Sequence, residues 1–234
     1  MNVGILYNTF ICLVIGITSL VVFFLLQETR KKRVKQYSQG LDYFSLLLGL
    51  LWIFVGLRNF FAWLNLIDLD MFVFRWFSGP LTYLHLIPLF YYFGWSFFKN
   101  KKVRFLFNTL STFMVLIVVL TFFVYGFSLG KMTSWGTDPE PNSLTNKLFI
   151  FCLFLPVFLL MIIEFIRRLR NWRRTKDPIE RQLFGFSLGF LIYAIMGIFD
   201  ALGIIEGWLV LLVRIGIMFA PLTFYFFTSL GFEE

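Results

Sequence analysis

Seven apolar stretches, each about 20 residues long, occupy most of this 234-residue chain. A hydrocarbon layer about 30 Å thick requires a helix of about 20 mostly apolar residues to cross it. The spacers between the stretches are short, so the sequence predicts an all-α fold, a single seven-transmembrane helix bundle with no separate soluble domain. The predicted spans are 4–26, 42–63, 76–98, 105–127, 147–166, 182–204 and 207–230.

The composition excludes other fold classes. Hydrophobic residues make up 59% of the chain and charged residues 15%, whereas a soluble domain has about 45–50% and about 25%. A transmembrane β-barrel requires apolar and polar residues to alternate over about ten positions. The segment 46–55 is instead apolar at nearly every position, which indicates helices.

Basic residues cluster in every second gap between the spans. Of the 21 Lys and Arg, five lie at 30–35, four at 99–104 and seven at 167–181. Loops rich in Lys and Arg stay in the cytoplasm, so we expect a multi-pass protein of the cell membrane, with its N-terminus outside and its C-terminus inside. The clusters are also expected to attract anionic lipid headgroups. Because topology accounts for the net charge of +8, this charge does not indicate nucleic acid.

Matching landmarks in the two halves of the chain indicate a duplication. Their offsets are 140, 142 and 141 residues, and the matches are Cys12 with Cys152, Phe44-Ser45-Leu46 with Phe186-Ser187-Leu188, and Pro80-Leu81-Thr82-Tyr83 with Pro221-Leu222-Thr223-Phe224. The sequence therefore predicts two parallel repeats of three helices, with a ligand at their interface, as in small transporters. Repeat one is 1–98, the linking helix 105–127, the outer loop 128–146 and repeat two 147–234.

Two local features add to this plan. Pro80 and Pro221 each remove a backbone donor from a span, and their matching places make them candidate hinges. The outer loop is rich in Gly, Pro and Ser, which predicts irregular backbone that serves as a connector or as a lid over an outer pocket. The sixth span is expected to begin with Asp177 as N-cap, Pro178 in the first turn and Glu180 as a capping-box carboxylate.

Charged and ionisable residues inside spans are the candidate ligand-binding groups: Arg58, His85, Asp200 and Arg214. A lone charge at mid-membrane costs about 3 kcal/mol even on the most lenient scale, so each needs a partner. We expect Arg58 and Asp200 to pair across the repeat interface, with Arg214 close enough to compete. One positive charge would then remain for an anionic ligand, which guanidinium binds bidentately. The alternatives are a structural salt bridge, which is slightly favoured, and arginines that snorkel to the interface.

His85 and the two cysteines limit the chemistry. His85 suits a pH sensor or a ligand contact, but a hydrogen bond to a neighbouring helix is the favoured interpretation. One histidine with Cys12 and Cys152 cannot complete a four-ligand metal site or a haem held by two histidines, which leaves His plus Met ligation as the formal alternative. The chain also lacks a plausible Ser-His-Asp set and a Gly-rich phosphate loop. We therefore expect no enzyme, catalytic residue, metal or cofactor.

The last quarter of the chain carries a family resemblance. Its landmarks are Arg181, Gly185, Gly189, Asp200, Gly203, Arg214 and the closing Leu230-Gly231-Phe232. This stretch resembles the end of the seven-helix sensor modules found ahead of prokaryotic histidine kinases and cyclases. No kinase or cyclase follows here, so the resemblance implies a stand-alone sensor that signals through a separate cytoplasmic partner, with the loop at 167–181 as the contact.

Two functions follow from these patterns. The favoured one is a receptor-like sensor that binds a small or lipid ligand, such as an anionic one, from the outer side. The alternative is a small-solute transporter built as three plus one plus three helices. Topology and family resemblance favour the sensor, whereas the proline-bearing repeat favours the transporter.

Overall fold

The computed structural model describes residues 2–28, 35–133, 135–201 and 208–229. The basic residues at 30–33, Gly203 and the closing motif at 230–232 lie outside these ranges. The described elements are α1 (Val3–Glu28), α2 (Lys35–Trp63), α3 (Ile67–Val73), a π-helical turn (Phe74–Ser78), α4 (Gly79–Leu84), α5 (Leu86–Phe97), α6 (Lys101–Tyr125), β1 (Phe127–Thr133), β2 (Gly136–Pro141), α7 (Leu144–Thr175), α8 (Pro178–Ala201) and α9 (Leu209–Ser229).

Six of the described helices are long and apolar enough to cross a membrane: α1, α2, α6, α7, α8 and α9. Much of the apolar surface of these helices is not covered by protein, most of all in α6 and α7. Since only lipid can cover so much exposed apolar surface, the chain is an all-α, multi-pass membrane protein. The third predicted span, 76–98, is not one continuous helix, so the count of seven spans stays a prediction.

Prolines account for the divisions within the segment 67–97. Pro88 has no N–H, so the carbonyl of Leu84 loses its usual helical donor, and α4 ends at that residue. Upstream, Pro80 cannot donate to Trp76, and the N–H of Gly79 bonds the carbonyl of Phe74 in a π-helical step. By contrast, Pro156 and Pro221 lie inside the continuous helices α7 and α9.

The helix α7 extends nine residues beyond its predicted end at residue 166, so much of the predicted loop at 167–181 is helical. It ends at Lys176, whose backbone is left-handed (φ 56°) and whose N–H bonds the carbonyl of Trp172. The side chain of Asp177 then accepts a hydrogen bond from the N–H of Ile179 at 2.9 Å, which confirms the predicted N-cap of the next helix. Glu180 does not act as predicted, because both of its oxygens bind Arg168.

The outer loop is more regular than predicted. β1 and β2 pair as an antiparallel hairpin, from Phe127 opposite Pro141 to Thr133 opposite Gly136. Gly136 has φ 147°, a conformation that favours glycine, and the hydroxyl of Thr133 donates to its carbonyl at 3.0 Å. Pairing the two strands satisfies backbone groups that an irregular loop would leave to water.

Small residues bring the helices into close contact. A Cβ atom at Gly16 of α1 would lie 2.9 Å from the backbone nitrogen of Ile53 and 3.0 Å from the carbonyl oxygen of Gly49 in α2. Gly185 and Gly189 in α8 similarly lie against α9. Close approach through small residues is typical of helix association in membranes.

An aromatic cluster fills the centre of the bundle. The ring of Phe44 in α2 meets those of Phe190 and Tyr193 in α8 edge-on, with centroid distances of 5.2 and 5.4 Å. Phe224 of α9 joins them at 6.1 Å from Phe44. This edge-to-face geometry is the favoured one for aromatic pairs, and it ties α2 to α8 and α9.

We refer to the two ends of the bundle by their contents. The hairpin end carries β1 and β2 together with the end of α2 and the start of α9. The basic end carries the clusters at 99–104 and 167–181. Of the predicted repeat landmarks, Ser45 and Ser187 are both buried, but Cys12 is buried and Cys152 is exposed, and both cysteines are free.

Candidate functional site

Arg58, a predicted site residue, lies at the hairpin end and binds an acid that the sequence did not single out. Its Nε is 2.8 Å from Oδ1 of Asp70 in α3. Asp70 is completely buried, and Arg58 is 7% exposed. The guanidinium carbon of Arg58 also lies 4.6 Å from the centre of the Phe74 ring. Three consecutive parts of the chain, α2, α3 and the π-helical turn, therefore hold this ion pair.

The hairpin covers this first ion pair. Nη2 of Arg58 donates to the hydroxyl of Thr137 in β2 at 3.0 Å, and the same hydroxyl donates to Oδ2 of Asp70. Thr137 thus bridges the two charged groups. The loop predicted as a connector or lid is in direct contact with the candidate site.

A second ion pair joins α8 to α9. Nε of Arg214 lies 3.2 Å from Oδ1 of Asp200, and the side chains are 14% and 26% exposed. Nη1 of Arg214 donates to the side-chain oxygen of Asn8 in α1 and lies 2.9 Å from the sulfur of Cys12. Among the described residues, Nη2 of Arg214 has no hydrogen-bond partner.

Asn8 links the second ion pair to the hairpin. Its amide nitrogen donates to the carbonyl of Trp135, in the hairpin turn, while its oxygen accepts from Arg214. The amide of Asn59 in α2 donates to the sulfur of Cys12 at 3.6 Å. A single hydrogen-bonded network therefore extends from α9 through α1 to the hairpin; we call it, together with both ion pairs, the hairpin-end network.

The pairing differs from the predicted one. The sequence led us to expect Arg58 opposite Asp200, but Arg58 binds Asp70 and Asp200 binds Arg214. The expected proximity of Arg214 to Asp200 is confirmed. Because Asp70 supplies a second carboxylate, the described arginines and aspartates of the network balance in charge. The prediction of a surplus positive charge is therefore wrong. An anionic ligand would have to bind those N–H groups of the arginines that do not donate to the aspartates.

His85 stands apart from the two ion pairs. Its Nδ1 lies 3.0 Å from the carbonyl oxygen of Leu81, and its Nε2 lies 2.6 Å from the hydroxyl of Tyr193 in α8. The favoured prediction, a hydrogen bond to a neighbouring helix, is confirmed. His85 also marks the break between α4 and α5, so the broken segment is fastened to α8 at its interruption.

A second buried network lies at the basic end. Glu164 of α7 is completely buried and accepts hydrogen bonds from four side chains: Tyr92 at 3.1 Å, Arg168 at 2.8 Å, Ser96 and Arg167. Arg168 continues to both oxygens of Glu180 in α8 at 3.0 Å. Glu164 was not among the predicted site residues, although an acid three and four residues before two arginines is a signal for such a pair.

The hairpin-end network holds groups suited to binding. Its arginines can bind a carboxylate or a phosphate, and its amides can donate or accept hydrogen bonds. Within the described ranges, no three side chains of His, Cys, Asp or Glu group as metal ligands would. Comparison with protein-family models, with curated proteins and with solved structures finds no match for this chain.

Proposed function

We propose that this protein is a receptor-like membrane sensor that binds a small or lipid-derived anion at the hairpin end. The observation that carries the proposal is the Arg214–Asp200 pair, which is partly exposed within a largely buried polar network. Among the described residues, its guanidinium keeps one donor without a partner. A ligand carboxylate or phosphate would take that donor and compete with Asp200 for the others.

The hydrogen bonds of the network supply a route from ligand to hairpin. A ligand that draws Arg214 away from Asn8 would loosen the bond from Asn8 to Trp135. It would also shift α9 against α8, which carry the arginine and the aspartate. We propose that this change is transmitted to the basic end and reaches a separate cytoplasmic partner at 167–181.

The proposed setting is a seven-span bundle in the cell membrane, with the hairpin end outside. In it, the third span is the predicted one at 76–98, and α6 links two repeats of three helices. The basic clusters would then lie in the cytoplasm against anionic lipid headgroups. Single cysteines placed at Thr133 and at Arg173, in a background without Cys12 and Cys152, test the orientation. An impermeant maleimide should label only the first in intact cells.

Ligand binding can be tested by the thermal stability of the purified protein in detergent. A panel of small carboxylates and inorganic phosphate serves as the probe, and at least one member should raise the unfolding temperature. Arg214→Gln should abolish this rise. Arg75→Gln is the matched control, because Arg75 is an exposed arginine of the same end. If the probe raises the unfolding temperature of both variants equally, Arg214 is not part of the binding site.

The broken segment 67–97 favours a transporter as the second candidate. Discontinuous helices surround the substrate sites of many secondary transporters, and π-helical steps are frequent at functional sites. Counterflow of a stabilising anion in proteoliposomes separates the two functions. A sensor should give no uptake above that of empty liposomes, whereas a transporter should concentrate the labelled anion.

A further inference from the structure

The arginines of α7 fall into two groups with different surroundings. Arg167 and Arg168 turn toward the protein and bind Glu164, and Arg168 also binds Glu180. The other three, Arg170, Arg173 and Arg174, are exposed, and in the described part of the chain no acid forms an ion pair with them. These three guanidinium groups are free to bind something outside the bundle.

The exposed arginines continue a lipid-facing apolar stripe. Large apolar side chains recur along one face of α7 at steps of seven, four, four and three residues, and each is about half exposed: Leu148, Leu155, Leu159, Ile163 and Ile166. The same spacing leads on to Arg170 and then to Arg173 and Arg174, because residues three or four apart share a helix face. One face of one helix therefore passes directly from apolar to cationic.

The length of the stripe matches the thickness of a bilayer. Eighteen residues separate Leu148 from Ile166, which is about 27 Å of helix, close to the hydrocarbon thickness of about 30 Å. Arg170 follows one turn later. The three arginines thus lie at the depth of lipid phosphates when the apolar stripe faces the acyl chains.

A groove is present where the two parts of the stripe meet. It has a volume of about 410 Å³ and is lined by Ile166, Leu169, Arg170, Arg173 and Arg174. Its lining combines aliphatic side chains with three arginines that form no ion pair with a described acid. A free anion would leave the aliphatic part in contact with water, and an acidic protein would have to reach below the headgroup level. A phospholipid with a net negative charge matches both parts.

We propose that this groove of α7 is a binding site for one anionic phospholipid. The acyl chains lie along Ile163 and Ile166, and the phosphate is bound by Arg170, Arg173 and Arg174. The proposal deepens the lipid contact proposed above for the basic clusters and rests on it. It does not depend on whether the protein is a sensor or a transporter.

Native mass spectrometry of the full chain in detergent tests the site. The probes are phosphatidylglycerol and phosphatidylcholine with identical acyl chains, titrated separately. Wild-type protein should bind phosphatidylglycerol more tightly. The triple variant Arg170→Gln, Arg173→Gln, Arg174→Gln should bind it roughly 100-fold more weakly, at about fivefold for each guanidinium. Binding of phosphatidylcholine should not change.

The control removes the same charge elsewhere at the basic end. Lys99→Gln, Lys101→Gln and Lys102→Gln together alter three exposed lysines before and at the start of α6, and should weaken phosphatidylglycerol binding less than about threefold. If the arginine variant fails to fold, the double variant Arg173→Gln, Arg174→Gln replaces it, with an expected loss of about 25-fold.

The outcomes separate the site from the wider proposal. Equal losses in the lysine and arginine variants would overturn the site while keeping a general attraction to anionic lipid. Wild-type affinity for phosphatidylglycerol no greater than for phosphatidylcholine would overturn the lipid contact altogether. Unchanged phosphatidylglycerol binding in the arginine variant would overturn the site and would indicate that these arginines bind an acidic partner protein. None of these results bears on Arg214.

Discussion

The two ends of the bundle use the same charged residue types in different ways. At the basic end, one completely buried carboxylate, Glu164, accepts from four side chains, and two of these lie on its own helix. At the hairpin end, two aspartates each pair with one arginine from another element. Glu164 therefore has no capacity left for a ligand, whereas Arg214 has one donor without a partner among the described residues.

Position along the chain explains part of this difference. Glu164, Arg167 and Arg168 follow one another within two turns of α7, so forming that helix brings them together. The hairpin-end network joins α1, α2, α3, α8 and α9 to the hairpin, and any movement between these elements changes it. The contacts of Glu164 within α7 are thus independent of movement between helices, whereas the hairpin-end network is sensitive to it.

Removing the carboxylate of Glu164 should have the largest effect. Glu164→Gln leaves Arg167 and Arg168 without their buried counter-charge, and breaking a buried pair in this way costs about 3–5 kcal/mol. The free energy of unfolding in mixed micelles, followed by circular dichroism, measures the loss. The exposed acid Glu140 provides the control, since Glu140→Gln should stay within about 0.5 kcal/mol of wild type. Similar losses in both variants would contradict the assigned role of Glu164.

Breaking the Arg58–Asp70 pair should have the second-largest effect on the free energy of unfolding. Asp70→Asn and Arg58→Gln should each cost about 2–3 kcal/mol, because each leaves a partner buried without its counter-charge. A double-mutant cycle should give a coupling energy of about 1–3 kcal/mol, whereas a cycle between Arg58 and Asp200 should be additive within about 0.5 kcal/mol. A larger coupling energy between Arg58 and Asp200 than between Arg58 and Asp70 would instead support the pairing expected from the sequence.

The hydrogen bond between His85 and Tyr193 lies between the two ends and should have a smaller effect. Tyr193→Phe removes the hydroxyl and leaves Nε2 of the buried histidine unsatisfied, at a cost of about 2 kcal/mol. Tyr43→Phe is the matched control, because Tyr43 is 55% exposed. Equal unfolding temperatures for Tyr193→Phe and wild type would show that the contact does not stabilise the bundle.

Asp200→Asn should have the smallest effect on stability. The Arg214–Asp200 pair is partly exposed, and partly exposed ion pairs contribute about 1 kcal/mol or less. The same micelle unfolding experiment applies. If Asp200→Asn lowers the free energy of unfolding as much as Asp70→Asn does, the Arg214–Asp200 pair is a structural contact. That result would count against a role in ligand binding.

Most of the long helices could be predicted because the bilayer, and not tertiary contacts, sets the length and apolar composition of a span. Six of the seven predicted spans correspond to long apolar helices. The proximity of Arg214 to Asp200 and the interhelical hydrogen bond of His85 also followed from the need of buried polar groups for partners.

The partner of Arg58 could not be predicted in the same way. Asp70 lies in a mixed segment, Ile67–Val73, that is too polar to count as part of a span. Arg58 and Asp200 were linked by their equal offset in the proposed repeat, but equivalent positions in two repeats are neighbours only near the axis that relates them. The hairpin was missed because its sequence lacks a typical two-residue turn signal.

The nine residues by which α7 continues past Ile166 have a mechanical consequence. They form a helical extension about 14 Å long. The ion pair between Arg168 and Glu180 of the next helix holds this extension at its base. A tilt of about 10° at that base would displace the tip near Thr175 by about 2 Å. Small rearrangements among the spanning helices would thereby become a lateral displacement at the level of the lipid headgroups.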